Sequence, residues 1–261
     1  MATAQGTQPA PAPERTVVSE PSKRPQGFLD PSERPDSLAL VPAPPREGSA
    51  AYKADVATHR SMASLRDTAR WRLAIEDADL RFPRAPATFA CALGTALSPV
   101  EAPNLFRLLQ RAMIDAGQST ARAKDEYRRS RPFAVLDAPL CVPEDATALR
   151  KSAGYPSGHA AAGWAWALIL AELAPDRTVP ILRRGYEFGL SRVVCGVHWM
   201  SDVEAGRTVG AAAVARLHAA PEFLAQLALA REEVARLRNS SRSPGRDCTA
   251  EARALEATAH R

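Results

Sequence analysis

Apolar residues recur with helical spacing through most of the chain between residues 49 and 238. The clearest stretch lies between Asn104 and Gly117, where intervals of three and four separate Leu105, Leu108, Leu109, Ala112, Met113 and Ala116. This spacing places apolar side chains on one face of a helix, which Asn104 can cap and Gly117 can end. The pattern predicts an all-α fold, in which residues 48–238 form a single globular helical-bundle domain.

Further helices are predicted from the same periodicity and from the capping residues, prolines and glycines that bound it. We expect one from Ser49 to about 66, a second reaching 80, and others near 89–97, 119–130, 157–173 and 221–238, with two more beginning near 178 and 198. In the second helix Trp71, Ile75 and Ala78 share one face. Residues 133–154 contain Pro139, Pro143 and Gly154 and predict a loop.

The two ends of the chain differ from this helical body. Residues 1–47 hold 10 of the 22 prolines, which fix φ and remove amide donors, so we expect an extended N-terminal arm that is partly disordered. Apolar residues from Phe28 to Val41 predict that this part of the arm lies against the body. Residues 239–261 are expected to form a flexible tail.

Membrane and targeting signals are weak. The most apolar stretch, from Ala160 to Ala171, has only 12 residues, fewer than the roughly 20 that a membrane-spanning helix needs. The start of the sequence has neither a basic leader nor an apolar core, so no secretion signal is expected in this chain.

The net charge of +5 and the sequence pI near 9.3 favour anionic partners. Lysines and arginines are spread along the chain without a run of five, which argues against nucleic acid. Small phosphate esters are the expected partners.

The four cysteines, at 91, 141, 195 and 248, form no CxxC pair, so neither a zinc ribbon nor a thioredoxin-type site is supported. Two disulfides or buried free thiols both fit this number. A thiol phosphatase that needs Arg six positions after Cys is excluded, because those positions hold Leu97, Thr147, Ser201 and Ala254.

Candidate chemistry begins with two cations. Lys124 and Arg131 are seven residues apart, nearly two helical turns, so in one helix they would emerge on the same side. Pro132 predicts that the helix ends at Arg131. Downstream, Ser157 and Gly158 precede a helix whose amide donors can hold phosphate oxygens, and His159 is placed to protonate a leaving group.

A second segment supplies Ser191, Arg192, His198 and Asp202. If a helix begins near His198, Asp202 at i+4 lies within reach of one ring nitrogen and fixes the tautomer. Two histidines and a carboxylate also suit zinc or iron. Three neighbouring cations, Lys124, Arg131 and Arg192, disfavour a divalent metal on electrostatic grounds, so no cofactor is predicted.

These residues fall into three groups with fixed spacing: Lys124 with Arg131-Pro132, the run Pro156-Ser157-Gly158-His159, and Ser191-Arg192 with His198 and Asp202. Together they resemble the signature of the type 2 phosphatidic acid phosphatase superfamily, which includes vanadium haloperoxidases. Over residues 28–235 the chain is similar to class A bacterial non-specific acid phosphatases. One nearby departure is Ala160, where relatives often have Thr.

The resemblance implies that His198 attacks phosphorus to form a phosphohistidine, Asp202 orients it, and His159 acts as acid and then base. Lys124, Arg131, Ser157, Gly158 and Arg192 would hold the phosphoryl oxygens. It further implies broad phosphomonoester specificity and a periplasmic or secreted location, and it leaves transfer of phosphate to alcohols open. Separately, the apolar side of the predicted helix at 221–238 suits packing or dimerisation, and a homo-oligomer is expected. A neutral nucleophile beside a protonated acid predicts a bell-shaped pH profile with an acidic optimum.

Two other functions remain alternatives at this point. A vanadate-dependent haloperoxidase would use the same cationic pocket, with His198 on vanadium. A non-catalytic phosphate-binding or nucleic-acid-binding protein would keep the cations without needing both histidines.

Overall fold

The computed structural model describes residues 25–240 and 242–258. Its α-helices are, in chain order, α1 (Ser37–Leu40), α2 (Ala50–Met62), α3 (Ala69–Ala78), α4 (Ala90–Leu93), α5 (Pro103–Gln118), α6 (Ala121–Tyr127), α7 (Pro132–Val135), α8 (Ala146–Lys151), α9 (Gly158–Leu173), α10 (Thr178–Val194), α11 (Met200–Leu217), α12 (Pro221–Asn239) and α13 (Cys248–Glu256). Since no strand occurs in the described ranges, the predicted all-α, single-domain fold is confirmed.

Helix α9 is the centre of the bundle, with α5, α10 and α11 packed around it. Its side chains are apolar on nearly every face, as expected of a helix that is covered on all sides. Two glycines let α11 approach closely: a Cβ on Gly206 would lie 2.4 Å from the Ser157 carbonyl oxygen, and one on Gly210 would lie 2.4 Å from that of Ala161. This approach sets the position of the loop before α9.

The buried face of α3 differs from the one that its apolar residues predict. Ile75 is 41% exposed, whereas Arg70 and Asp77 are completely buried. Arg70 donates to the Ser191 hydroxyl at 2.9 Å, and Asp77 accepts from Ser191 at 2.5 Å and pairs with Arg184. Buried polar groups need such partners. Because Ser191 and Arg184 both lie on α10, the sequence of α3 alone cannot predict that Arg70 and Asp77 are buried.

The cap of α5 also differs from the prediction. The helix begins at Pro103, so Asn104 lies inside it. The Glu233 carboxylate, from α12, accepts from the amides of Asn104 and Leu105 at 3.1 and 2.8 Å. A side chain distant in sequence therefore satisfies the first amides of α5, a role that usually falls to a local cap.

The described part of the N-terminal arm, from residue 25, lies against the body as predicted. Leu29 and Val41 are buried, and Asp115 of α5 accepts from the Phe28 amide at 2.6 Å. This part of the arm contains α1 and a 3₁₀ turn at Pro31–Glu33. The predicted extended, partly disordered arm falls mostly on residues 1–24, which lie outside the described residues.

The predicted flexible tail contains a helix instead. Helix α13 packs on α3, and Cys248 is joined by a disulfide to Cys91. Asp247 caps α13 by accepting from the Ala250 amide at 2.9 Å, and Arg246 pairs with Glu76 of α3 at 2.7 Å. A disulfide and an ion pair thus attach this short helix to the body. It lacks the long apolar face from which a helix is predicted in the sequence.

None of the helices in the described ranges is long and apolar enough to cross a lipid bilayer.

Candidate active site

A cavity of about 420 Å³ opens where the C-terminal part of α5, the end of α6 and the start of α9 meet. Five of the predicted site residues line it, namely Lys124, Arg131, Gly158, His159 and His198. The other three, Ser157, Arg192 and Asp202, are buried and do not line it. The structure thus brings together residues that are up to 74 positions apart between Lys124 and His198.

Lys124 and Arg131 reach the cavity by a route that the sequence did not predict. Helix α6 ends at Tyr127, Arg128 takes a left-handed conformation at φ 42°, and Arg131 is extended at the start of α7. The two side chains therefore do not share one helical face. They converge on the segment before α9 instead, where the Lys124 ammonium group and Arg131 Nη2 both donate to the Ala153 carbonyl, at 2.9 and 3.3 Å.

Burial weakens the affinity of both cations for their protons. It lowers the pKa of Lys124 to about 8, with a further contribution from Arg131. It lowers the pKa of Arg131 to about 10. Desolvation is the main cause of both shifts, and Asp202 opposes it in both.

The hydrogen bonds of His198 fix its tautomer. Arg131 Nη1 lies 2.9 Å from Nε2, and a guanidinium can only donate, so Nε2 must accept. Nδ1 lies 3.2 Å from the Asp202 carboxylate and so carries the hydrogen. Burial, followed by Arg131 and Lys124, holds the pKa of His198 well below its ordinary value. A neutral ring with a lone pair on Nε2 results, which is the form a nucleophile requires.

Asp202 contacts His198 across the start of α11 rather than along a helix. Helix α11 begins at Met200, so His198 precedes it and the expected helical i+4 geometry is wrong, although the contact itself forms. The carboxylate also accepts from the Trp199 amide at 3.0 Å. Burial raises the pKa of Asp202 to about 6, although the neighbouring Arg129 lowers it.

Arg129 is a site residue that the sequence analysis missed. Its Nη1 donates to Asp202 at 2.6 Å and its Nη2 donates to Asp55 of α2 at 2.8 Å. Asp55 also accepts from the Ser201 hydroxyl at 2.5 Å. Asp55 and Arg129 therefore hold the carboxylate that holds His198. Only the position of Arg129, two residues before Arg131, hinted at this role.

We expect Arg129→Gln to lower kcat by roughly 10- to 100-fold, the equivalent of one lost charged hydrogen bond. Because Arg129 lowers the pKa of Asp202, its removal raises that pKa, and the acid limb of kcat/KM moves about one unit to higher pH. The pH profile of the purified variant tests this. Arg129→Lys keeps the charge and should move the limb less. An unshifted acid limb in Arg129→Gln would contradict the positioning role.

His159 is oriented by the backbone of α3. Its Nε2 lies 3.0 Å from the carbonyl oxygen of Ala78, so Nε2 donates and Nδ1 is left to exchange protons. Burial, followed by Arg192, holds the pKa of His159 well below its ordinary value. A bound phosphate dianion would oppose this effect, because it adds negative charge next to the ring.

The start of α9 presents backbone donors next to His159. Ser157 is the N-cap, and its hydroxyl accepts from the Ala160 amide at 3.2 Å. The Ser157 amide donates a hydrogen bond to the Asp202 carbonyl at 2.9 Å. The hydroxyl proton of Ser157 and the amide of Gly158 are the donors that a helix N-terminus can offer to an anion.

Arg192 is a buried cation that forms no ion pair with a carboxylate of the described residues. It is 2% exposed, and its Nε and Nη1 atoms have no hydrogen-bond partner among the described residues. Burial and the neighbouring Arg131 lower its pKa to about 10. A buried charge is costly unless an opposite charge compensates it, so this guanidinium fits an anionic ligand.

A disulfide braces the segment that carries these residues. Cys141 and Cys195 are joined, and the Cys141 amide donates to the Cys195 carbonyl at 3.0 Å. Cys195 lies between Arg192 and His198 in the sequence. The bridge therefore anchors the turn between α10 and α11 to the loop before α8.

The chain is similar in sequence to known proteins over most of its length. A sequence model of the PAP2 superfamily matches residues 108–224. The chain is 44% identical over 212 residues to the non-specific acid phosphatase of Providencia stuartii, covering 81% of this chain and 86% of that protein. It is 40% identical over 229 residues to the acid phosphatase of Zymomonas mobilis, covering 88% and 84%. The non-specific acid phosphatase of Salmonella typhimurium is 40% identical over 210 residues, covering 80% and 84%.

Proposed function

Because this chain belongs to the PAP2 superfamily, we propose that it is an acid phosphatase that hydrolyses a broad range of phosphomonoesters through a phosphohistidine at His198. The observation that carries the proposal is the fixed tautomer of His198. Its Nε2 lone pair lies 2.9 Å from an Arg131 donor, inside a cavity that also holds Lys124 and His159. A substrate phosphate in this cavity would contact the His198 nucleophile and, at the same time, the positive charges of Lys124 and Arg131.

In the first step, His198 Nε2 forms a bond to phosphorus while the bond from phosphorus to the ester oxygen breaks. Arg131 transfers its hydrogen bond from Nε2 to a phosphoryl oxygen, which frees the lone pair. His159 donates its proton to the departing alkoxide. Lys124, Arg192 and the donors at Ser157 and Gly158 stabilise the charge that spreads over the three equatorial oxygens.

In the second step, water attacks phosphorus and the bond to Nε2 breaks. His159, now neutral, takes a proton from the water, so that the enzyme returns to its starting state. The positive phosphohistidine ring is stabilised meanwhile by Asp202, which accepts from Nδ1. An alcohol in place of water would receive the phosphoryl group by the same step, which is the proposed route for transfer to alcohols.

Trapping of the intermediate tests this mechanism. Wild-type protein quenched in base during turnover of a phosphorus-labelled ester should retain label that is lost in acid, and peptide mapping should locate it at His198. Asp202→Asn should accumulate less label, because the positive ring loses its counter-charge. Label on another residue, or no label at any quench time, would overturn the covalent mechanism.

The pH dependence of kcat/KM should be bell-shaped with a maximum close to pH 6. On the acid side, Asp202, with a pKa raised to about 6, becomes protonated and no longer orients His198. On the alkaline side, the substrate loses its last proton, with a pKa of about 6, and the low pKa of His159 limits its supply of protons. Steady-state rates from pH 4 to pH 9 with a monoester test this; a maximum above about pH 8 would contradict it.

A periplasmic or secreted location is part of the proposal. Its support is the pair of disulfides, Cys91–Cys248 and Cys141–Cys195, because disulfides persist in oxidising compartments. Fractionation of cells that express the natural gene would test it. The homo-oligomer predicted from the sequence stays a prediction that light scattering can test.

A further inference from the structure

A second cavity of about 340 Å³ adjoins the candidate active site. The two cavities share Lys124, Arg131 and the segment 152–153 as a common wall. We propose that this second cavity binds a second phosphate group of the substrate, so that phosphomonoesters that carry another phosphate are preferred. The inference rests on the proposed function, since it assigns the first phosphate to the cavity at His198.

The charges around the second cavity are strongly unbalanced. Its lining includes Lys124, Arg128, Arg129, Arg131, Arg150 and Lys151, against the single carboxylate of Asp125. Arg129 is neutralised by Asp55 and Asp202. Arg128, Arg150 and Lys151 are exposed, and none of them pairs with a carboxylate in the described part of the chain. Three uncompensated cations therefore surround one concave surface.

Two of these cations are held in place by contacts that leave their charges unneutralised. Arg128, in its left-handed conformation, donates from Nε to the Asp125 carbonyl at 3.1 Å. The Arg150 guanidinium lies 5.0 Å from the centre of the Phe133 ring. Some arginines elsewhere on the surface do meet carboxylates, as Arg216 meets Glu33 at 2.6 Å and Arg231 meets Glu172 at 2.9 Å.

The guanidinium of Arg131 separates the two cavities. Arg131 Nη1 lies 2.9 Å from His198 Nε2, while its Nη2 donates to the Ser152 hydroxyl at 3.1 Å. Directly before Ser152 come Arg150 and Lys151, at the end of α8. A substrate with two phosphates joined by a short linker can therefore place one at His198 and the other among the unpaired cations.

Matched substrates test the proposal. The bisphosphates of ethane, butane and hexane diols are compared with the corresponding monophosphates at low salt. For at least one linker, kcat/KM per phosphate should be about tenfold higher for the bisphosphate, the sum of a few solvent-screened ion pairs. The gain should appear in KM and shrink as salt is raised.

Two double variants separate a local site from the general charge of the protein. Arg150→Gln/Lys151→Gln should lower kcat/KM for the preferred bisphosphate to near the monophosphate value, with a far smaller effect on the monophosphate. The control, Arg107→Gln/Arg236→Gln, removes the same charge from exposed positions on α5 and α12 and should keep the preference. Equal losses in both double variants, or no preference at any linker length, would overturn the proposal.

Binding measurements distinguish this proposal from the proposed function. Calorimetry with non-hydrolysable bisphosphonates and monophosphonates reports on the second cavity without turnover. A tighter bisphosphonate that loses its advantage in Arg150→Gln/Lys151→Gln supports the subsite, even if monophosphates prove not to be hydrolysed. Equal affinities of the two ligand classes for the wild-type protein would refute the subsite, even if monophosphates are hydrolysed well.

Discussion

His198→Ala is expected to lower kcat for phosphomonoester hydrolysis on the order of 10⁴-fold or more, the scale that accompanies loss of a covalent nucleophile. The His198 ring is oriented by Asp202 at 3.2 Å from Nδ1 and by Arg131 at 2.9 Å from Nε2, and it is the histidine in the cavity that has a carboxylate to stabilise a positively charged ring. Hydrolysis of an activated ester such as 4-nitrophenyl phosphate measures the loss.

The controls for His198→Ala address folding and phosphate binding. The variant should still bind inorganic phosphate, because Lys124, Arg131 and Arg192 remain, and ligand-dependent thermal stabilisation would show this binding. His218→Ala removes a histidine that pairs with Glu172 at 2.9 Å on the surface, and it should keep wild-type turnover. Turnover of His198→Ala within tenfold of wild type would end the assignment of the nucleophile.

Arg192→Met is expected to affect activity and stability in opposite directions. Activity should fall by about 10³-fold, the scale for an arginine that stabilises the charge of phosphoryl transfer. The free energy of unfolding without ligand should rise by about 1 kcal/mol, because a buried charge that forms no ion pair is replaced by an apolar side chain of similar length. Denaturant titration and steady-state kinetics measure the two effects.

Arg184→Met is the matched control for Arg192→Met. Arg184 lies on the same helix and is equally buried, but it pairs with Asp77 at 2.5 Å and Glu251 at 3.5 Å. Its loss leaves the buried Asp77 carboxylate without an ion-pair partner, whereas Glu251 keeps Arg246 at 3.2 Å, and it should destabilise the protein by about 3–5 kcal/mol. If Arg192→Met is destabilising to a similar degree, Arg192 has a structural partner and is not held for a ligand.

The two substitutions on α10 are expected to change the free energy of unfolding in opposite directions because the two arginines have different neighbours in space. These neighbours cannot be read from the sequence. Arg184 and Arg192 are eight residues apart on α10, about two turns, so they share a face of the helix. Arg184 meets Asp77 of α3 and Glu251 of α13. Arg192 forms no ion pair with a described carboxylate, and the positive charge of Arg131 contributes to lowering its pKa.

The sequence alone determined the helical class of the fold and the candidate residues of the cavity. Helical periodicity is local, because it depends on neighbours three and four positions away, and so the pattern after Asn104 predicted α5 almost to the residue. The chemical types and spacing of Lys124, Arg131, His159, Arg192 and His198 carried the resemblance, because a reaction constrains residue types even when the helix boundaries shift.

Only the tertiary structure decided the contacts that tune those residues. Arg129 contacts Asp55 of α2 and Asp202 of α11. Glu233 caps α5 by binding Asn104, 129 positions away. Helix α13 is attached to the body by the disulfide between Cys248 and Cys91. Arg128, after α6, and Arg150 and Lys151, at the end of α8, line one cavity only in the folded chain. These contacts depend on the distance between charged groups in space. They have no fixed spacing along the sequence from which they could be predicted.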